Sequence, residues 1–239
     1  MTQHVLLNNV DHHDLRVITR RDAALGDAVM LAHTFPAEFR ALQAHYPIVY
    51  QKTADGLSFQ AVALLGLQPE QNLYLGPSGW EAAYIPLALQ RQPFLIGRDG
   101  YSLQVHVDLD SPRLSRGEAG EGEPLFLPQG GSTAYLQRIS DILGAIHHGV
   151  QHADELLRAL LAHDLLEPFV LESQDSHGQT HQLSGFYTLH EERLAALQAD
   201  SLAELHAPGH LQAIYMMLAS QSQFAALIDR QARRRTAHG

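Results

Sequence analysis

Residues 72–94, NLYLGPSGWEAAYIPLALQRQPF, constrain this chain more than any other stretch. Pro77, Pro86 and Pro93 each fix φ and lack an amide donor, so no long regular helix can run through the segment. Gly76 and Gly79 punctuate it further. Yet it carries the one tryptophan, Trp80, together with Leu73, Tyr74, Leu75, Tyr84, Ile85, Leu87 and Phe94. Irregular backbone with that much apolar and aromatic surface is expected to lie packed against a core. The flanking chain has to supply that core.

The residues before the segment read as strands and one short helix. Residues 4–7 and 14–18 are apolar runs separated by the polar turn 8–13, and 28–32 is a third candidate strand. Pro36 suits a first helical turn, with Phe35, Phe39 and Leu42 near helical spacing and Pro47 as the stop. Residues 48–52 and 57–65 flank Asp55-Gly56, a hairpin signal. The pattern repeats around Asp99-Gly100. There Leu103, Val105, Val107 and Leu109 alternate with Gln104, His106, Asp108 and Asp110.

Residues 111–123, SPRLSRGEAGEGE, are Gly-rich and acidic, and are expected to form an exposed, flexible loop within one domain spanning 1–239. From Ser132 to Leu166 the pattern is helical, with Ser132 or Thr133 as cap, a kink or break at Gly149 and a stop at Glu167-Pro168. A hairpin around residues 175–178 follows. Helices are then expected at 191–198, from a capping box Ser201–Glu204, and from His210 to about Arg230 with Leu211, Ile214, Tyr215, Leu218, Ala225 and Ile228 as the buried stripe. Strands joined by tight turns, followed mainly by helices, predict an α+β fold with an antiparallel, hairpin-rich sheet and helices concentrated in the C-terminal half.

Several function classes lack support. The formal charge of −10 argues against a broad nucleic-acid surface. The basic tail of Arg230, Arg233, Arg234 and Arg235 reads as a solvated helix end. With no cysteine there is neither disulfide nor thiolate metal site. No run approaches the ~18 apolar residues of a membrane span. The N-terminus lacks the pattern of a secretory signal, which predicts a cytoplasmic protein. G-x-S-x-G and Gly-rich phosphate loops are absent.

The pattern N-L-Y-L, then G-W-E-A-A-Y-I-P, then R-Q-P-F in residues 72–94 resembles the SapC family of bacterial proteins. HYPIVY at 45–50, with Glu38 and Phe39 upstream, is similar to another family segment, as are EPLFLPQG at 123–130 and the closing LSGFYTLHEERLAALQADSLAELHAPGHLQAIYMMLAS. Gln92 and His106 depart from the family pattern. The resemblance implies a soluble bacterial protein, linked by name to surface layers, whose relatives also occur beside outer-membrane receptor and halogenase-like genes. It brings no established catalytic residues.

Three groups of residues invite a chemical reading. Trp80, Glu81, Tyr84 and Arg91 combine aromatics with an arginine, as a pocket for an anionic or planar ligand would. His106 and Asp108 share one strand face about 7 Å apart. With a third ligand from His147, His148, His152, His177 or His181, they would form the two-histidine, one-carboxylate set that holds Fe(II). His148 and His152, four apart on a helix, have a spacing that chelates zinc, although HGVQH lacks the glutamate base of metalloproteases. The expectation is a non-enzymatic accessory or binding protein for an unidentified protein or small-molecule ligand, without a cofactor, linked to envelope or uptake functions. The alternative is a non-haem iron oxygenase-like enzyme. A self-assembling homo-oligomer is suggested only by the family name.

Overall fold

A computed structural model describes residues 3–99, 102–117, 119–174 and 180–236. The strands are His4–Leu6 (β1), Leu15–Val17 (β2), Leu31–His33 (β3), Ile48–Lys52 (β4), Phe59–Leu64 (β5), Leu75–Gly76 (β6), Gly79–Trp80 (β7), Phe94–Asp99 (β8), Ser102–Asp108 (β9), Leu114–Arg116 (β10), Glu123–Pro124 (β11), Leu166–Gln174 (β12) and Thr180–Leu189 (β13). The helices are Phe39–Leu42 (α1), Leu87–Gln90 (α2), Ala134–Ala162 (α3), Glu191–Ala195 (α4), Ala199–His206 (α5), His210–Ser220 (α6) and Gln223–Thr236 (α7). The fold is α+β, and every strand pairing is antiparallel.

The largest sheet runs β12-β13-β4-β5-β3. The β4–β5 hairpin pairs Ile48 with Ala63 and Lys52 with Phe59. Gly56, at φ +72°, supplies the left-handed residue that its turn requires. Two three-stranded sheets, β1-β9-β8 and β10-β2-β11, and the two-stranded β6-β7 also lie in the N-terminal half. The turns at 99–101 and 175–179 were expected from Asp99-Gly100 and residues 175–178; residues 100, 101 and 175–179 lie outside the described residues.

Helix α3 joins two hydrophobic clusters. Its first half places Tyr135, Leu136, Ile139 and Leu143 against Leu15, Val17, Phe94, Val107 and Leu125 of the small sheets. Its second half places Leu156, Leu157 and Leu160 in the larger cluster with Phe39, Leu42, Tyr46, Leu64, Ile214 and Leu227. The 29-residue helix is about 44 Å long and reaches both. Thr133 caps it by accepting from the Leu136 amide at 3.3 Å.

Five local expectations need correction. Gly149 does not break α3; it is buried because Phe35 packs there, and an added Cβ would lie 2.1 Å from the Phe35 ring. Pro168 stops no helix but sits within β12, an edge strand where its missing donor is tolerated. Ser201 lies inside α5, whose cap position is Gln198, so the capping box does not form. The final helix is two. Ser220 Oγ accepts from the Ile48 amide (2.9 Å), and Gln221 Nε2 donates to the Ile48 carbonyl (3.2 Å), so the chain parts at 221–222 where it completes the bonding of β4. The buried residues there are Ala213, Ile214, Met217, Phe224 and Leu227, whereas Tyr215 is exposed. Finally, 111–123 is not loop throughout: β10 and β11 pair with β2 and Arg113 is buried, whereas Arg116, Gly117, Ala119, Glu121 and Glu123 are exposed as expected.

Candidate functional site

The segment 72–94 packs on the larger cluster, as its composition demands. Leu73 and Tyr74 are buried, and Trp80, Tyr84 and Ile85 pack partly buried against it. Hydrogen bonds hold it. Trp80 Nε1 donates to Tyr46 Oη at 2.8 Å, and Tyr46 Oη in turn donates to the Tyr84 carbonyl. Tyr84 Oη donates to Glu38 Oε1 (3.0 Å), which also accepts from the Leu87 amide (2.7 Å). Glu38 Oε2 accepts from Thr34 Oγ1 at 2.7 Å. Burial pushes the Glu38 carboxyl above its ordinary range, against the opposing pull of these three bonds. The Tyr46 and Tyr84 hydroxyls are pushed up by the same burial.

Glu81 faces elsewhere. Arg230 Nη1 donates to Glu81 Oε2 (3.0 Å), Nη2 to the Glu81 carbonyl (3.0 Å), and the guanidinium lies 4.5 Å over the Tyr74 ring. Arg234 donates to the Leu75 carbonyl. These two arginines of α7 therefore clasp the central segment and are not a solvated helix end; the Arg235 side chain lies outside the described residues.

Arg91 does not join Trp80, Glu81 and Tyr84 in one pocket. Its Nη1 donates to the Phe94 carbonyl (2.6 Å), and burial lowers its pKa. It forms no ion pair among the described residues. It lines a cleft of about 470 Å³ together with Asp108, Asp110, Ser111 and His4, over an apolar wall that includes Leu25 and Leu95. Thus the cleft unites one residue from each of two expected groups: Arg91 from the pocket reading and Asp108 from the metal reading.

His106 and Asp108 do share a strand face, two residues apart in β9, opposite Leu95 of β8 and His4 of β1. The His106 ring covers Gly97, where an added Cβ would meet it at 2.0 Å. Asp108 Oδ1 accepts from the Asp110 amide at 3.2 Å. Among the described residues no three His, Asp or Glu side chains gather into a metal-holding group, so neither this pair nor His148 with His152 gains a further ligand. His148 and His152 are exposed on α3, and His152 Nδ1 lies 2.8 Å from the His148 carbonyl. His177 and the His181 side chain lie outside the described residues.

The family model for SapC matches residues 7–227. The chain belongs to the SapC family. No curated protein and no solved structure matches it. The segments that carry the SapC resemblance turn out to be bonded to one another: Tyr46 of HYPIVY holds both Trp80 and Tyr84 of GWEAAYIP, and Glu38 holds Tyr84 and Leu87. Those residues bond to one another within the core around the irregular segment. No described helix is long and apolar enough to cross a membrane.

One buried group escaped sequence reasoning. Asp27 is fully buried; its Oδ1 accepts from Arg21 Nη1 (3.2 Å), and its Oδ2 from the Asp22 amide (2.9 Å) and from Arg113. Arg113 Nη1 also donates to the carbonyls of Ile18 and Arg20, both at 3.1 Å. Partners 86 residues apart leave no local signal. Pro112 and Leu114 beside Arg113 were the one hint that it leaves solvent.

Proposed function

We propose that this SapC-family chain is a non-enzymatic binding protein serving bacterial envelope or uptake functions from the cytoplasm, and that its ligand site is the Arg91 cleft. The observation that carries the reading is a half-buried guanidinium without a carboxylate partner among the described residues, set in a cleft whose other polar residues include Asp108 and Asp110. Leaving a cation partly desolvated is unfavourable unless something pairs with it. A ligand of matching chemistry has an anionic group for Arg91 and a cationic or hydrogen-donating group for the two aspartates, as a small amino or hydroxy carboxylate does. The cleft volume suits a small molecule.

The test is a thermal-shift screen of wild type and Arg91→Ala against small amino, hydroxy and simple carboxylates. Bifunctional ligands are expected to raise the wild-type Tm and leave Arg91→Ala unmoved. Equal shifts in both proteins, or none in the wild type, would count against the cleft.

A further inference from the structure

Gln92 also lines a second, smaller cleft of about 150 Å³, with Arg21, Arg113, Arg138 and Tyr135 over Ile18, Ile139 and Ile142. Its charge does not balance. Asp27 is the one carboxylate bonded to these arginines among the described residues, and it serves both Arg21 and Arg113. Arg138 forms no ion pair there; its guanidinium lies 5.6 Å over the Tyr135 ring. Glu123, exposed on β11, is the other carboxylate near enough to act on Tyr135. Against the bonded Asp27 two positive charges are left over, and even with Glu123 counted one remains, in a chain whose formal charge is −10.

Donors are left over as well. Arg113 is 2% exposed, yet its Nε is buried without a partner. Among the described residues Arg21 uses only Nη1, to Asp27 and to the Leu89 carbonyl. The Tyr135 hydroxyl makes no hydrogen bond among the described residues, on a side chain 9% exposed. Burial is the main cause that lowers the Arg21 pKa, and the neighbouring Arg113 charge adds to it. Buried donors that stay unpaired are unfavourable, and guanidiniums converging on an apolar floor meet oxyanions with short, charge-assisted bonds.

We propose that the cleft formed by Arg21, Arg113, Arg138 and Tyr135 is a binding site for a phosphoryl group. Its volume is below that of a typical small-molecule site but accommodates one tetrahedral oxyanion. The group comes either as free phosphate or as the phosphate of a small ester whose remainder stays outside. This site is separate from the Arg91 cleft and does not rest on that reading.

The experiment is calorimetric titration of the full chain with inorganic phosphate and with glycerol 3-phosphate. Arg113→Met would take one of the two arginines from the buried Asp27 and endanger folding, so the variants are Arg138→Gln, which is on the exposed face of α3, and Tyr135→Phe, which keeps the ring. Saturable one-to-one binding with Kd below about 1 mM is expected. Arg138→Gln should weaken it about tenfold, Tyr135→Phe should weaken it less, and Arg91→Ala should leave it unchanged. Tighter binding of the ester marks a phosphorylated small molecule as the ligand; tighter binding of inorganic phosphate marks the free anion. No saturable binding of either, equal affinity in Arg138→Gln, or loss in Arg91→Ala would overturn the proposal.

Discussion

Gly149→Ala should destabilise the protein although it improves the intrinsic helix propensity of α3. Alanine in a helix interior is favoured over glycine by about 1 kcal/mol. Here the new methyl would lie 2.1 Å from Phe35 Cδ2 and 2.3 Å from Cε2, well inside contact distance. Phe35 is 4% exposed, so its ring has nowhere to go without moving neighbours. Forcing such a shift costs roughly 2–3 kcal/mol, leaving a net loss of about 1–2 kcal/mol. Phe35 also precedes the turn Pro36–Glu38 that delivers Glu38 to Tyr84, so the strain should spread into the hydrogen-bonded core. Gly144, five residues earlier in α3, is the control: an added Cβ meets nothing within 4 Å. Gly144→Ala should therefore be neutral or stabilising by up to about 1 kcal/mol. Urea unfolding of both variants reads the difference directly. Equal midpoints, or a more stable Gly149→Ala, would refute the packing argument.

Three further outcomes are expected. Asp27→Asn leaves Arg113 and Arg21 without their carboxylate and should destabilise by about 3 kcal/mol in urea unfolding; a loss well under 1 kcal/mol would mean that the cluster is not held as described. Glu38 has a folded pKa above its ordinary 4.5, so its contribution to stability is full below that value and is lost as pH rises through the folded value. Glu38→Gln removes this titration, and its stability relative to wild type should rise across that window; parallel pH profiles would contradict the assignment. Arg230→Met loses the Glu81 pair and the Tyr74 stacking, for about 1–2 kcal/mol in total. It should also speed amide exchange in 75–81, and unchanged exchange would show that α7 does not clasp the segment.

Local pattern carried the elements whose burial alternates along the chain. The strand through Val105 and Val107, the Asp55-Gly56 hairpin and helix α3 each reflect contacts within a few residues, and each element formed, although Leu103 of that strand is exposed and not buried. Where an element answers to distant partners, local reading failed. Ser220 and Gln221 break the last helix because they complete the bonding of Ile48, 172 and 173 residues away. Gly149 leaves room for Phe35 only in three dimensions, so from its neighbours it reads as a helix breaker. The site was half legible. Arg91 and Asp108 were each singled out, but for different chemistries, and only the packing of β8 on β9 brings them to one cleft. Trp80, Glu81 and Tyr84 stood out for their chemistry and proved to be bonded within the core and to α7.

The central claim is that Arg91 is the recognition cation of the larger cleft. Its most direct test is an NMR titration that follows the Arg91 side-chain Nε–Hε signal and the Asp108 amide while small amino and hydroxy carboxylates are added. The account predicts that at least one of these compounds moves both signals together and saturably, leaves Arg138 in place, and has no such effect in Arg91→Ala. Signals at Arg91 and Asp108 that stay still throughout the panel, or that move identically with simple salts, would contradict it.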